Sequence, residues 1–299
     1  MGHIITDLKE AFRRGNVYIQ LIFINVGVFV ITTLIGILLQ LFNRSAAGIF
    51  ELLALPASFT RFAWQPWSIF TYMFMHAGFL HILFNMLWLY WFGALFLYFF
   101  SGKHLRGLYI VGGICGGLLY MISYNVFPYF RPMTAYSTMV GASASVLAIV
   151  VATAYREPNY PVRLLFFGNV RLKYLALILV LTDLLFITSS NAGGHIAHLG
   201  GALAGLWFAA SLNKGKDITS WVNKALDAIA ALFSAKTWKR KPKMKVHYGN
   251  NTRQNDYDYN ARKKAQSDEI DRILDKLKKS GYESLTTEEK KSLFDASKR

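Results

Sequence analysis

The chain has 299 residues, 54% of them hydrophobic and 15% aromatic, with a formal net charge of +16 at pH 7. The apolar excess falls in several uncharged runs near or above bilayer-crossing length, which excludes a soluble globular enzyme and predicts an all-α, polytopic membrane protein. The basic residues sit in loops and in the tail, as membrane topology requires, so the charge is no argument for nucleic acid. The single cysteine, Cys115, lies in an apolar run and permits no intrachain disulfide.

Residues 1–16 contain Asp7 and Glu10, and the apolar run after them shows no A-x-A-like cleavage site, so no removable signal peptide is expected. Six spans are predicted within residues 17–212: Val17 to Phe42, His76 to Phe99, Leu108 to Phe127, Ser137 to Tyr155, Leu172 to Thr188 and Gly193 to Leu212. Between the first two, residues 43–75 carry Trp64 and Trp67, a composition suited to a loop lying in the membrane interface. Lys103, Arg106, Arg156, Arg163, Arg171, Lys173, Lys214 and Lys216 fall on the same side as the N-terminal Lys9, Arg13 and Arg14. The other side receives Arg44, Arg61 and Arg131. Positive-inside therefore predicts both termini in the cytoplasm and a place in the cell (inner) membrane.

Residues 213–245 combine an amphipathic segment, apolar at Ile218, Trp221, Val222, Ala225 and Ile229, with Lys236, Lys239, Arg240, Lys241, Lys243 and Lys245. That basic cluster suits anionic lipid headgroups, or else it is topogenic charge in a solvated linker. Residues 246–267 are polar and read as a disordered linker. In 268–299, Ile270, Ile273, Leu274 and Leu277 share a helix face, and Thr286 with Glu289 has capping-box spacing. The reading is a small helical hairpin whose partner is unknown.

The chemistry-bearing stretch is Gly141-Ala142-Ser143-Ala144-Ser145, in the fourth span. Small residues suit close helix packing, and on this stretch alone packing is a sufficient reason for them. Ser143 falls five or six residues into its span, roughly 8–9 Å below the surface at 1.5 Å per residue. His81 and His198 fall at matching depth in the second and sixth spans, with Asn85 one turn deeper. Intramembrane polar residues face the bundle interior or a water-filled cavity. One such histidine is commonly a packing residue, but four polar groups in one layer suggest a site. Zinc on His76, His81, His195 and His198 is the competing reading. With no Asp or Glu read into their layer, and His195 about 60° from His198 around the helix, metal ranks below nucleophilic catalysis. No metal or cofactor is expected.

A serine hydroxyl becomes a nucleophile when a neutral histidine takes its proton, which casts Ser143 with His198 as the base. His81, Asn85 and the backbone N–H of Ser143 would be donors to a developing oxyanion. Gly201 and Gly205 leave the His198 face of its helix smooth, so that the serine helix can approach. Without an orienting carboxylate, a dyad is expected.

These residues resemble the rhomboid family of intramembrane serine proteases: His76-x4-His81-x3-Asn85, Gly141-Ala142-Ser143, and Gly193-x3-Ala197-His198-x2-Gly201-x3-Gly205. The resemblance covers about Val17 to Leu212 and implies a six-helix bundle that cuts transmembrane or juxtamembrane segments of other proteins. It places Ser143 and His198 in the dyad and His81 and Asn85 in the oxyanion hole, with His76, Gly141, Gly201 and Gly205 in support. Three positions depart from the family pattern: Ala144 for a glycine, Leu147 for a tyrosine, and Ser68 in place of the arginine of a Trp-Arg pair. The tail beyond Lys214 also resembles the cytoplasmic extension of rhomboid homologues from Bacteroidetes. A non-catalytic rhomboid-like scaffold that binds or dislocates membrane helices is the alternative; a transporter comes third, since no inverted repeat is apparent.

Overall fold

The computed structural model describes residue 6 and residues 10–164, 168–232 and 252–297. Six helices build the principal bundle: α1 (Val17–Leu41), α2 (Phe79–Phe99), α3 (Gly102–Val126), α4 (Ser143–Arg156), α5 (Leu172–Leu185) and α6 (Ala192–Asn213). Of these, α1, α2, α3 and α6 are long and apolar enough to cross a bilayer. Large apolar side chains point outward around the bundle, among them Ile31, Leu34 and Leu38 of α1, Leu177, Ile178 and Leu181 of α5, and Leu203 and Trp207 of α6. An exposed apolar surface of this extent belongs against lipid. This is a membrane protein.

The two short helices correct the expected spans. At 14 residues, α4 and α5 reach about 21 Å, less than the roughly 30 Å of a hydrocarbon core. For α4 the reason is visible. Residues 144–154 are buried without a break, so α4 sits inside the bundle and the chain leading to it need not be helical. Instead of starting near Ser137, the helix starts at Ser143 itself. Ahead of it β2 (Thr138–Met139) pairs antiparallel with β1 (Leu55–Pro56), and Gly141 adopts φ 135°, a conformation that interrupts any helix. The second span likewise begins at Phe79, leaving His76 in the loop before it.

Close packing of α3, α4 and α6 runs through glycines. A Cβ on Gly201 or Gly205 would overlap the carbonyl oxygen of Ala144 or Ala148, and one on Gly116 would lie 2.6 Å from the Cβ of Ala144. Backbones in contact are the usual gain of small residues in membrane helices. Gly201→Ala is expected to cost about 1–3 kcal/mol by overpacking and to lower the unfolding midpoint in detergent. Gly48→Ala, which meets open space, serves as the neutral control. Equal midpoints for the two variants would remove the packing role.

The loop before α2 is held without the family's arginine. Trp67 Nε1–H donates to Leu52 O at 2.9 Å, Thr71 Oγ1 to Leu53 O at 2.7 Å, and Tyr72 O–H to Gly113 O of α3 at 2.6 Å. Ser68 is fully buried at this point, where a long cationic side chain would not fit.

Helix α7 (Ser220–Leu232) docks on the start of α3. Arg106 donates to Asn223 Oδ1 at 3.0 Å and pairs with Asp227 at 2.9 Å, and Asn223 donates to Lys103 O at 3.0 Å. The expected amphipathic face is therefore divided: Val222 is buried, while Trp221 and Ile229 remain exposed. The basic cluster from Lys236 to Lys245 lies outside the described residues.

A second compact unit, residues 235–299, holds α8 (Thr252–Ser280) and α9 (Thr287–Ser297). Where a disordered linker was expected, α8 is already helical from Thr252. Residues 261–266 (Ala-Arg-Lys-Lys-Ala-Gln) are strong helix formers that need no apolar stripe. The capping box forms as its spacing predicts: Thr286 N–H donates to Glu289 Oε2 at 2.9 Å and Glu289 N–H to Thr286 Oγ1 at 3.3 Å. Lys276 donates to the same carboxylate at 2.8 Å, tying α8 to α9 and holding the Glu289 carboxyl below its ordinary value.

Candidate active site

Ser143 opens α4, so the N–H groups of the first turn have no acceptor within the helix. The turn before it is fixed by Gly141, whose N–H donates to Tyr72 O at 2.9 Å. A Cβ at Gly141 would stand 2.9 Å from His81 Nε2 and 3.6 Å from Ser143 Oγ, so these groups surround one point and leave no room for a side chain. His81 Nδ1 accepts from Ala77 N–H at 3.4 Å. In a neutral imidazole that leaves Nε2 as the N–H donor, on the side of Ser143. His76 is buried with its ring 5.1 Å from that of His81, edge to face, and props it in this orientation. Asn85 Nδ2 donates one hydrogen to His81 O at 2.9 Å and keeps the second.

Ser143, His198, His81 and Asn85 all line one cavity of about 600 Å³. A second, apolar cavity of about 250 Å³ has walls that include Trp88, Leu147, Val150 and Leu179, and Ser143, Asn85 and His198 line it too. All four expected residues thus meet, although the depth count used to match them assumed helix where the chain is extended, at about 3.3 Å per residue. Leu147, the departure from a family tyrosine, becomes part of the apolar wall. Ser145 points elsewhere: it is 1% exposed, its backbone packs on Gly112 of α3, and it lines neither cavity.

One expectation is overturned. A carboxylate does share the layer of the histidines. Asp183 of α5 is buried, and its Oδ1 lies 2.8 Å from Nδ1 of His198 and 2.8 Å from Nδ1 of His195. The 60° between the two histidines on α6 is small enough for one carboxylate placed between them to reach both. The residue to notice in the sequence was the lone acid in the apolar run 172–188. An ionisable side chain there is a functional flag by itself.

The same three groups have the composition of a metal site, their ligand atoms all within 4.8 Å of one another. Two ligands of a tetrahedral zinc stand about 3.4 Å apart, given bonds of about 2.0–2.1 Å. The 2.8 Å spacings are those of hydrogen bonds.

A membrane-embedded helical bundle thus gathers, around a serine at a helix start, the residue types that acyl transfer uses. Residues 63–214 match the Rhomboid domain, and the chain belongs to the rhomboid family, a family of intramembrane protease type. Residues 254–299 match a family of unknown function (DUF6576). RHOMBOID-like protein 12, mitochondrial, of Arabidopsis thaliana is 30% identical over 158 residues, which is 50% of this chain and 47% of that protein. The chain thus spans about half the length of this curated relative.

Proposed function

We propose that the protein is an intramembrane serine endopeptidase that hydrolyses peptide bonds in or near transmembrane segments of other membrane proteins. The observation that carries this reading is that Ser143, His198 and Asn85 line both a polar and an apolar cavity, with His81 lining the polar one. His198 Nε2 takes the Ser143 hydroxyl proton as Oγ bonds to the scissile carbonyl carbon, and the carbonyl π electrons move onto oxygen. His81 Nε2–H, the spare Asn85 N–H and the Ser143 backbone N–H receive that oxyanion. Collapse breaks the C–N bond, and the proton on His198 goes to the leaving amine. Water then attacks the acyl-enzyme by the same route in reverse.

The apolar cavity suits an apolar substrate side chain beside the scissile bond, and the polar cavity suits the water that the second half-reaction consumes. The distribution of basic loop residues supports both termini in the cytoplasm, with the Ser143 end of the bundle facing the opposite side. Exposed Trp221 and Ile229 on α7, with the basic residues that follow in sequence, suit lipid at the inner surface.

A fluorophosphonate is expected to label Ser143 in detergent, with labelling lost in His198→Ala and unaffected by a chelator. Mass spectrometry that put the label on Ser145, or chelator-sensitive labelling, would sink the assignment.

A further inference from the structure

We infer that Asp183 is a positioning residue of this site, completing a carboxylate–histidine–serine relay in which one carboxylate oxygen is shared by two histidines. The inference rests on the protease reading above. An ionised carboxylate only accepts hydrogen bonds, so the 2.8 Å contacts from Oδ1 require N–H on Nδ1 of both His195 and His198. For His198 this fixes the tautomer that leaves Nε2 unprotonated, the form a general base needs. It also fixes the ring plane, because α5 supplies the acceptor while α6 carries the ring. When Ser143 gives its proton to Nε2, the imidazolium lies against a carboxylate that is already in place. Asp183 keeps its charge throughout and takes no proton.

Burial strengthens the argument. Asp183 is 6% exposed in a mostly apolar helix, and among the described residues its ion-pair contacts are His195 and His198 alone. The two imidazole N–H groups are its hydrogen-bond partners, so a carboxylate is tolerated there because two donors satisfy it. His195 then has a role without touching substrate. Its ring lies 6.1 Å from that of His198 and 6.0 Å from that of Phe186, and its N–H offers the second of two donors. The merely structural alternative is that Asp183 pins α5 to α6 and does nothing for turnover.

Three measurements on the full chain in detergent separate these. Asp183→Asn keeps the shape and removes the charge. It is expected to lower kcat on a transmembrane reporter by up to about 10⁴-fold, with KM within a few-fold, counted per molecule that a fluorophosphonate labels at long times. His195→Ala removes only the second donor and leaves the His198 bond in place, so its kcat is expected to fall clearly less than that of Asp183→Asn. In the wild type, proton–nitrogen NMR with labelled histidine is expected to find the proton of His198 on Nδ1, a reading that requires no variant to fold. The proposal is overturned by full kcat per labelled molecule in Asp183→Asn, by equal loss in both variants, or by a His198 protonated on Nε2. Cleavage that survives in Ser143→Ala would instead remove the protease reading itself, whatever Asp183 does.

Discussion

Cleavage of a transmembrane reporter is expected to fall to background in Ser143→Ala, to fall as far in His198→Ala, and to fall no further in the double variant. In soluble serine proteases, losing the nucleophile or the base costs about 10⁶ in kcat, and the losses do not add because the two residues act as one unit. That factor corresponds to about 8 kcal/mol of transition-state stabilisation. The fold should not suffer. Ser143 lines two cavities and fills no core gap, so its unfolding midpoint should match that of the wild type. Ser145→Ala is the informative control. Its buried hydroxyl has no hydrogen-bond partner among the described residues, so removing it should leave turnover intact and stability equal or slightly raised. Turnover that survives Ser143→Ala and dies in Ser145→Ala would exchange the roles of the two serines. Turnover that survives both would remove serine catalysis from the site, whereas a wild type that binds the reporter without cleaving it would favour a scaffold that binds membrane helices.

The residues that meet in the cavity were legible because they are rare where they occur. His81, Asn85, Ser143 and His198 are polar in apolar runs, and lipid makes such residues costly. Gly201 and Gly205 were legible from their spacing after His198, while Gly112 and Gly116 of α3 have the same four-residue spacing and pack against the same Ala144 and Ala148 of α4. Asp183 was missed for a different reason. Its partners lie on another helix, and nothing in the order of residues says that α5 turns this face toward α6. Depth along the α4 segment is hidden from the sequence for a related reason. Polarity says that Ser143 is enclosed, but not that the chain reaches it through a strand and a glycine at positive φ. Those features depend on β1, which lies more than eighty residues earlier in the chain, and on Tyr72, which accepts from Gly141. Local pattern finds what is buried; long-range contact decides how the chain arrives.

The oxyanion donors provide the second large effect, and they separate catalysis from binding. Asn85→Ala is expected to lower kcat on the order of 10²–10³-fold, the usual cost of removing one such donor. Apparent substrate affinity should stay within a few-fold, because the donor's bond forms mainly in the transition state. The geometry makes the claim specific. One Asn85 N–H is already used on His81 O at 2.9 Å, and only the second is available to the substrate. Asn85→Asp keeps the size but cannot donate while ionised, and should be no better than alanine. The alternative is that Asn85 serves only its own helix through that bond to His81 O. Polar contacts in membrane bundles average about 0.6 kcal/mol, so on that reading Asn85→Ala would lower the unfolding midpoint slightly and leave turnover per folded molecule unchanged. Measuring midpoint and kcat on one preparation decides between them. An unchanged kcat per labelled Ser143 would take Asn85 out of the site and leave His81 Nε2–H and the backbone N–H at the start of α4 as the oxyanion donors.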